Sequence, residues 1–261
     1  MTAVISRRTR GATLGAIVRS ELIKIRSMRS TWVGLVALLG VATLVTTLSS
    51  TKVAGVATPD VFAGWILTVF QVGLLLTTAF FAVQTASEWS TGMARTTFAA
   101  VPARGRWVAG RVIACALGGA VAALAVVAAV LGLGTLVHSA GAEALGPETY
   151  GLLWQAPLAL GLMSGFSAAL AVLVRNAWLA VGALFTLQFV LGIVSATLLT
   201  WFLQVMPYLP FDLAGTVLHA SQAGADLAGA PGAGLAIVLL VAWAVGTAVV
   251  AAIVSRRRDG A

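Results

Sequence analysis

The chain has 261 residues, 60% of them hydrophobic and only 9% charged, with a formal net charge of +8 at pH 7. A soluble domain carries roughly a quarter of its residues charged, so composition excludes a soluble globular protein and sets aside the usual length-per-domain arithmetic. The positive charge sits at the ends of apolar runs, where it reports membrane orientation, and nucleic acid is not an expected partner.

The first thirty residues are basic. Ser6-Arg7-Arg8 resembles a twin-arginine start, but Arg19, Glu21, Lys24, Arg26 and Arg29 follow where a signal needs its apolar core. The N-terminus is therefore expected to be retained. On a helix begun at Leu14, the residues Leu14, Ile17, Val18, Leu22, Ile25 and Met28 share one face, and Arg19, Ser20, Arg26 and Ser27 take the other. That pattern suits a helix lying in the membrane interface on lipid. Glu21 and Arg29 break it by falling inside the apolar arc, and Ile23 by falling outside; Lys24 stands at i+3 from Glu21 as a partner. A disordered basic tail held near anionic lipid is the competing reading.

Six uncharged runs follow: Trp32–Ser50, Val61–Ala86, Val112–Val137, Gly151–Val174, Ala177–Met206 and Leu235–Val254. Each is long enough to cross about 30 Å of hydrocarbon as a helix, which takes about 20 residues. None alternates polar and apolar residues as a barrel strand does. With the N-terminus inside, fifteen of the sixteen Lys and Arg fall inside, all but Lys52, and five of the eight acids fall outside. The expectation is an all-α membrane protein with six spans and both termini cytoplasmic. It divides into an N-terminal segment (1–30), a membrane domain (31–254) and a basic tail (255–261).

Between the second and third runs lies the most distinctive polar stretch, Glu88 to Arg111. Gly92 and Pro102 punctuate it, and Arg95, Arg104, Arg106 and Arg111 charge it. About twenty residues are more than a turn requires, which suggests an element that stands off the membrane and docks on another protein; an ordinary positively charged loop is the plainer reading. The loop after the fifth run, residues 207–231, is long yet apolar. Pro207 and Pro210 break the preceding helix. Leu209, Phe211, Leu213, Val217 and Leu218 suggest short helices that dip back into the outer leaflet under cover of other spans; a surface loop lying on the membrane is the competing reading, and the sequence barely separates the two. Gly110, Ala114, Gly118 and Ala122 line one face of the third span, and Gly161, Gly165 and Ala169 one face of the fourth, where small residues allow close helix approach.

Chemistry is sparse. The one cysteine, Cys115, permits no intrachain disulfide, and with only His138 and His219 beside it no metal site or other cofactor is expected. No span carries a charge near its centre, which argues against a proton-driven transporter. Gln71, Thr77 and Gln188 are candidates for a substrate path; with Gln84, Gln155, Thr78, Ser164 and Ser167 they equally suit interhelical hydrogen bonds. Neither lysine, Lys24 nor Lys52, stands in a phosphate-binding loop, so the chain is not expected to hydrolyse ATP itself. The stretch Gly161-Leu-Met-Ser164-Gly165 resembles, in outline, the serine motif of rhomboid-type intramembrane proteases. The spacing differs, however, the sixth span has no histidine, and His138 and His219 fall at the outer face.

Two stretches carry a family resemblance. Ser20 to Trp32, SELIKIRSMRSTW, resembles the segment before the first span of bacterial type-2 ABC transporter permease subunits. Glu88-Trp89-x-x-Gly92-Met93-x-Arg95-Thr96, followed by Pro102, Arg104 and Arg106, resembles their first cytoplasmic loop. Met93 stands where threonine is common in that family, and Arg111 where lysine is common. The alanine- and glycine-rich composition is similar to actinobacterial members. The resemblance implies a plasma-membrane exporter subunit that pairs with a second permease subunit, the same or different, and with ATP-hydrolysing ABC subunits on the cytoplasmic side. It also implies that Glu88, Trp89, Gly92, Arg95, Phe98, Pro102 and Arg104 belong to a coupling helix, with Trp89 and Phe98 as apolar knobs. The alternatives are a polytopic anchor or sensor without transport, and an intramembrane serine protease using Ser164.

Overall fold

The structure, a computed structural model, describes residues 12–51, 58–100, 103–138, 146–193, 200–222 and 229–258. Every element among them is helical: α1 (Leu14–Ser27), α2 (Arg29–Ser50), α3 (Pro59–Ser90), α4 (Met93–Ala100), α5 (Arg104–His138), α6 (Pro147–Val174), α7 (Ala177–Phe185), α8 (Pro210–His219) and α9 (Ala233–Arg258). Five of them, α2, α3, α5, α6 and α9, are long and apolar enough to cross a membrane, and the chain is an all-helical multi-pass membrane protein. The fifth expected span continues from α7 through a π-helical turn, Thr186–Val190, as one apolar helix over Ala177–Ile193. Residues 194–199 lie outside the described set, and short 3-10 turns follow at Thr200–Gln204 and Met206–Tyr208.

Local chemistry sets the helix ends. Thr13 caps α1 by accepting from the Ala16 amide at 3.3 Å, and Asn176 caps α7 by accepting from Leu179 at 3.1 Å. Prolines open α3, α6 and α8, where a missing N–H costs nothing. Gly92, with φ of +73°, turns the chain from α3 into α4. At 1.5 Å per residue the 32 residues of α3 and 35 of α5 reach about 48 and about 52 Å, well beyond the hydrocarbon thickness. The surplus on both is at the arginine-rich end, where α4 joins them.

α3 and α6 form the centre of the bundle, and one continuous apolar core joins them to α2, α5, α7, α8 and α9. The glycines of both small-residue stripes admit close neighbours, on α6 and on α5, but from different helices. Gly161 and Gly165 of α6 do face α5: a Cβ on Gly161 would lie 3.0 Å from the Ala116 carbonyl, and one on Gly165 3.4 Å from Ala116 and Val112. The α5 stripe beginning at Gly110 serves other helices. Gly110 admits Ile17 of α1, and Gly118 admits Phe81 of α3. α1, α2, α3, α6 and α9 all pack on α5, so its small residues are shared among several neighbours.

The apolar residues of the 207–231 loop are buried, as their composition requires. Leu209, Phe211, Leu213, Val217 and Leu218 are all covered, with α8 packed against α6 and α9. Gln155 of α6 meets Ser221 Oγ at 3.0 Å just beyond α8, and Gly151 lets Ser221 come close. The basic residues assigned to a tail begin inside α9, which stays helical to Arg258.

Candidate functional site

Glu21, which broke the apolar pattern of α1, meets its partners at one place, while Ile23 and Arg29 are exposed. Part of the apolar face of α1 packs on the bundle and not on lipid, while Leu14 stays exposed and Val18, Leu22 and Met28 are half-buried. Ile17 and Ile25 are buried, Ile17 with Trp107 and Val108 of α5 and Ile25 with Phe81 of α3 and Cys115 of α5. Glu21 lies between them on the same face and is buried too. A carboxylate there requires a cation, and Arg111 supplies it: Nη1 donates to Glu21 Oε2 at 2.8 Å. The guanidinium, fully enclosed, also donates from Nε to Thr85 Oγ1 at 3.1 Å and from Nη2 to Gln84 Oε1 at 3.4 Å. Lys24 donates to Glu21 Oε1 and to Glu88 Oε1, each at 2.9 Å. Arg111 stands 3.6 Å from that same Glu88 oxygen, and the Trp107 indole donates to Glu21 Oε1 at 3.3 Å.

The arrangement has two carboxylates and two cations, and it joins α1, α3 and α5. Gln84 extends it to the α1–α2 corner by donating to Thr31 Oγ1 at 3.2 Å. Burial alone would raise the Glu21 carboxyl, but Arg111 and Lys24 outweigh it and hold that group below the ordinary carboxylate range. Lys24, with 26% of its side chain exposed, is the most accessible member. Glu88 Oε2 is buried with no hydrogen-bond partner among the described residues.

Above this cluster sits an aromatic stack. Trp107 is enclosed, with Trp89 edge-on at 5.8 Å and Phe98 edge-on at 5.1 Å. Arg104 lies over Phe98 and Arg175 over Trp89, each at 5.6 Å. α4 is thus seated on the bundle through Phe98 and the buried Ala94, and it turns Met93, Thr96 and Ala99 outward.

Placement of the expected residues follows from this. Glu88 belongs to α3 and points into the ion cluster. Trp89 and Phe98 are half-buried against Trp107 and do not project as knobs. Gly92 forms the corner, and Arg104 bridges α4 to α9 by donating to the Ser255 carbonyl at 3.4 Å. Pro102 and the side chain of Arg95 lie outside the described residues. Gln71 is exposed and Thr77 buried; at 100° per residue they stand about 120° apart around α3, one turned outward and the other into the bundle. Gln188 is half-buried on the π turn of α7. Ser164 donates to Leu160 within its own helix at 2.7 Å and packs against Gly119, a packing role.

Sequence reading missed Trp107 and the partnership of Glu21 with Arg111. The available signal was a pair of opposite charges, each inside an otherwise apolar face, since a buried charge implies its counter-charge.

The chain matches no protein-family model, and no curated protein matches it.

Proposed function

We propose that this chain is the membrane-spanning permease subunit of an ATP-binding-cassette exporter. It crosses the plasma membrane six times with both termini inside, and α8 re-enters the outer leaflet. It pairs with a second permease subunit and takes its energy from ATP hydrolysed by a separate cytoplasmic subunit. The resemblance in Ser20–Trp32 and in the segment from Glu88 to Arg106 motivates this reading.

The observation that supports it best is the seating of α4. An eight-residue helix hangs between the two longest helices at their arginine-rich end, locked on one side and bare on the other. A push on its bare face reaches α3 through Gly92 and α5 through Phe98 and Trp107. The ion cluster makes the adjoining ends of α1, α3 and α5 one body, because separating any pair strands a buried charge. Closure of the ATPase would then tilt α3 and α5 together, as interfaces that move as rigid units do.

The test uses the outward face. Met93→Asp and Thr96→Asp leave the stack and the ion cluster untouched, so membrane abundance should hold while substrate-stimulated ATP hydrolysis by the co-purified P-loop partner falls severalfold. Arg26→Ala, an exposed cation at the same end, should leave it unchanged. ATP turnover by the chain alone, in a preparation free of other ATPases, would overturn the subunit reading.

A further inference from the structure

The C-terminal end of α9 is built into the same surface as α4. Gly105, one residue into α5, has no side chain, and the Arg256 guanidinium occupies that space: a Cβ there would lie 2.6 Å from Nη2. The neighbouring Arg104 reaches the Ser255 carbonyl while its guanidinium lies over Phe98 of α4. α4, the start of α5 and the end of α9 are thereby contiguous.

Among the described residues, the exposed charges on this surface are of one sign. Among the described residues at this end of the bundle, both carboxylates, Glu21 and Glu88, are buried and paired, while Arg106 and Arg256 are exposed at the N-terminus of α5 and Arg257 follows, exposed, on α9. A helix N-terminus is itself positive, so cations gathered around it repel one another until an anionic surface covers them.

Lipid does not suit the whole of this surface. A helix that lies on lipid presents its aromatic and aliphatic side. α4 turns Phe98 inward onto Trp107 and shows Met93, Thr96 and Ala99, a face with one long apolar side chain among small and hydroxylated residues. Such a face belongs in water or against protein.

We infer that the docking surface for the soluble partner is composite: the α4 face Met93, Thr96 and Ala99 fills a shallow apolar pocket, and Arg256 and Arg257 of α9 engage an acidic rim of the same partner protein. The inference rests on the docking reading proposed above and adds α9 to it. Arg256 and Arg257 then act in recognition as well as in orienting the last helix.

The experiment places a photo-crosslinking amino acid at Met93 or at Arg257 of the full chain in its own membranes, and identifies the crosslinked species by mass spectrometry. Both positions should capture one and the same protein carrying Gly-x-x-x-x-Gly-Lys-Ser/Thr, with acidic residues in the peptide joined to position 257. Arg256→Gln with Arg257→Gln should reduce capture at Met93 by about tenfold at low ionic strength and less at high salt. Arg26→Gln with Arg29→Gln, which removes the same charge from the same end, should not. Capture of the P-loop protein at Met93 with only lipid at 257, or no effect of the double variant, overturns the composite surface and leaves the permease reading standing. Failure of both positions to capture a P-loop protein overturns both.

Discussion

Removing Arg111 should damage this protein more than removing any exposed arginine, and the size of the effect can be worked from the cluster. Arg111→Met takes away three hydrogen bonds and leaves Glu21 and Glu88 sharing Lys24 alone. A buried pair broken on one side costs about 3–5 kcal/mol, more than about a hundredfold in the unfolding equilibrium. Glu21→Gln in the same background restores the balance, one carboxylate to one cation. The double variant should therefore be less destabilised than the sum of the singles by about 2 kcal/mol, within the range found for contacting residues. Arg111→Lys should fall between, since one ammonium cannot reach Glu21, Thr85 and Gln84 together. Cys115 supplies the readout. It is fully buried one turn from Arg111 and packs with Ile25 and Phe81, so its reaction with a maleimide during titration with a denaturing detergent reports opening of the α1–α3–α5 junction. Additivity of the two substitutions to within about 0.5 kcal/mol would refute the coupling. Acidity provides a second check. The depressed Glu21 carboxyl contributes stability that is complete above the ordinary carboxylate range and is lost as pH falls through its lowered folded value. The midpoint should hold from pH 7 to pH 5 and decline only in stronger acid, and this acid-dependent loss should be smaller in the double variant.

Three further outcomes are expected. Gly119→Ala should lower the midpoint by about 1–3 kcal/mol, as overpacking does, because the new methyl would meet Ser164 and lie 2.8 Å from the Leu160 carbonyl; Gly132→Ala on the same helix meets nothing and should be neutral or stabilising. Gly92→Ala should cost about 1–2 kcal/mol through its left-handed backbone alone, with Gly92→Asn costing less, measured by thermal unfolding in detergent together with ATPase co-purification. Burial raises the Asp212 carboxyl, so its charged form weighs against folding at neutral pH; Asp212→Asn should raise the thermal midpoint at pH 7, by an amount that shrinks as pH falls toward the ordinary carboxylate range.

Helix positions were legible in the sequence because a membrane leaves little choice. A backbone in hydrocarbon must satisfy its own hydrogen bonds, so four of the six uncharged runs became helices close to their expected ends, and Pro59, Pro147 and Pro210 marked three of the starts; the third began earlier, at Arg104, and the fifth is described as one helix only to Ile193 and not to Met206. The buried loop residues from Leu209 to Leu218 were legible for the same reason, since a free loop does not carry so many apolar side chains. Composition could not say which face meets lipid and which meets protein, because both are apolar. Hence the apolar side of α1 read as a lipid face, although Gly110 provides the space for Ile17, and Trp89 and Phe98 read as knobs, although Trp107 takes both. Glu21 and Arg111 are 90 residues apart, and each alone is an irregularity in a helical pattern. Only packing brings them to 2.8 Å, and there a charge that would be prohibitive singly becomes tolerable in a pair.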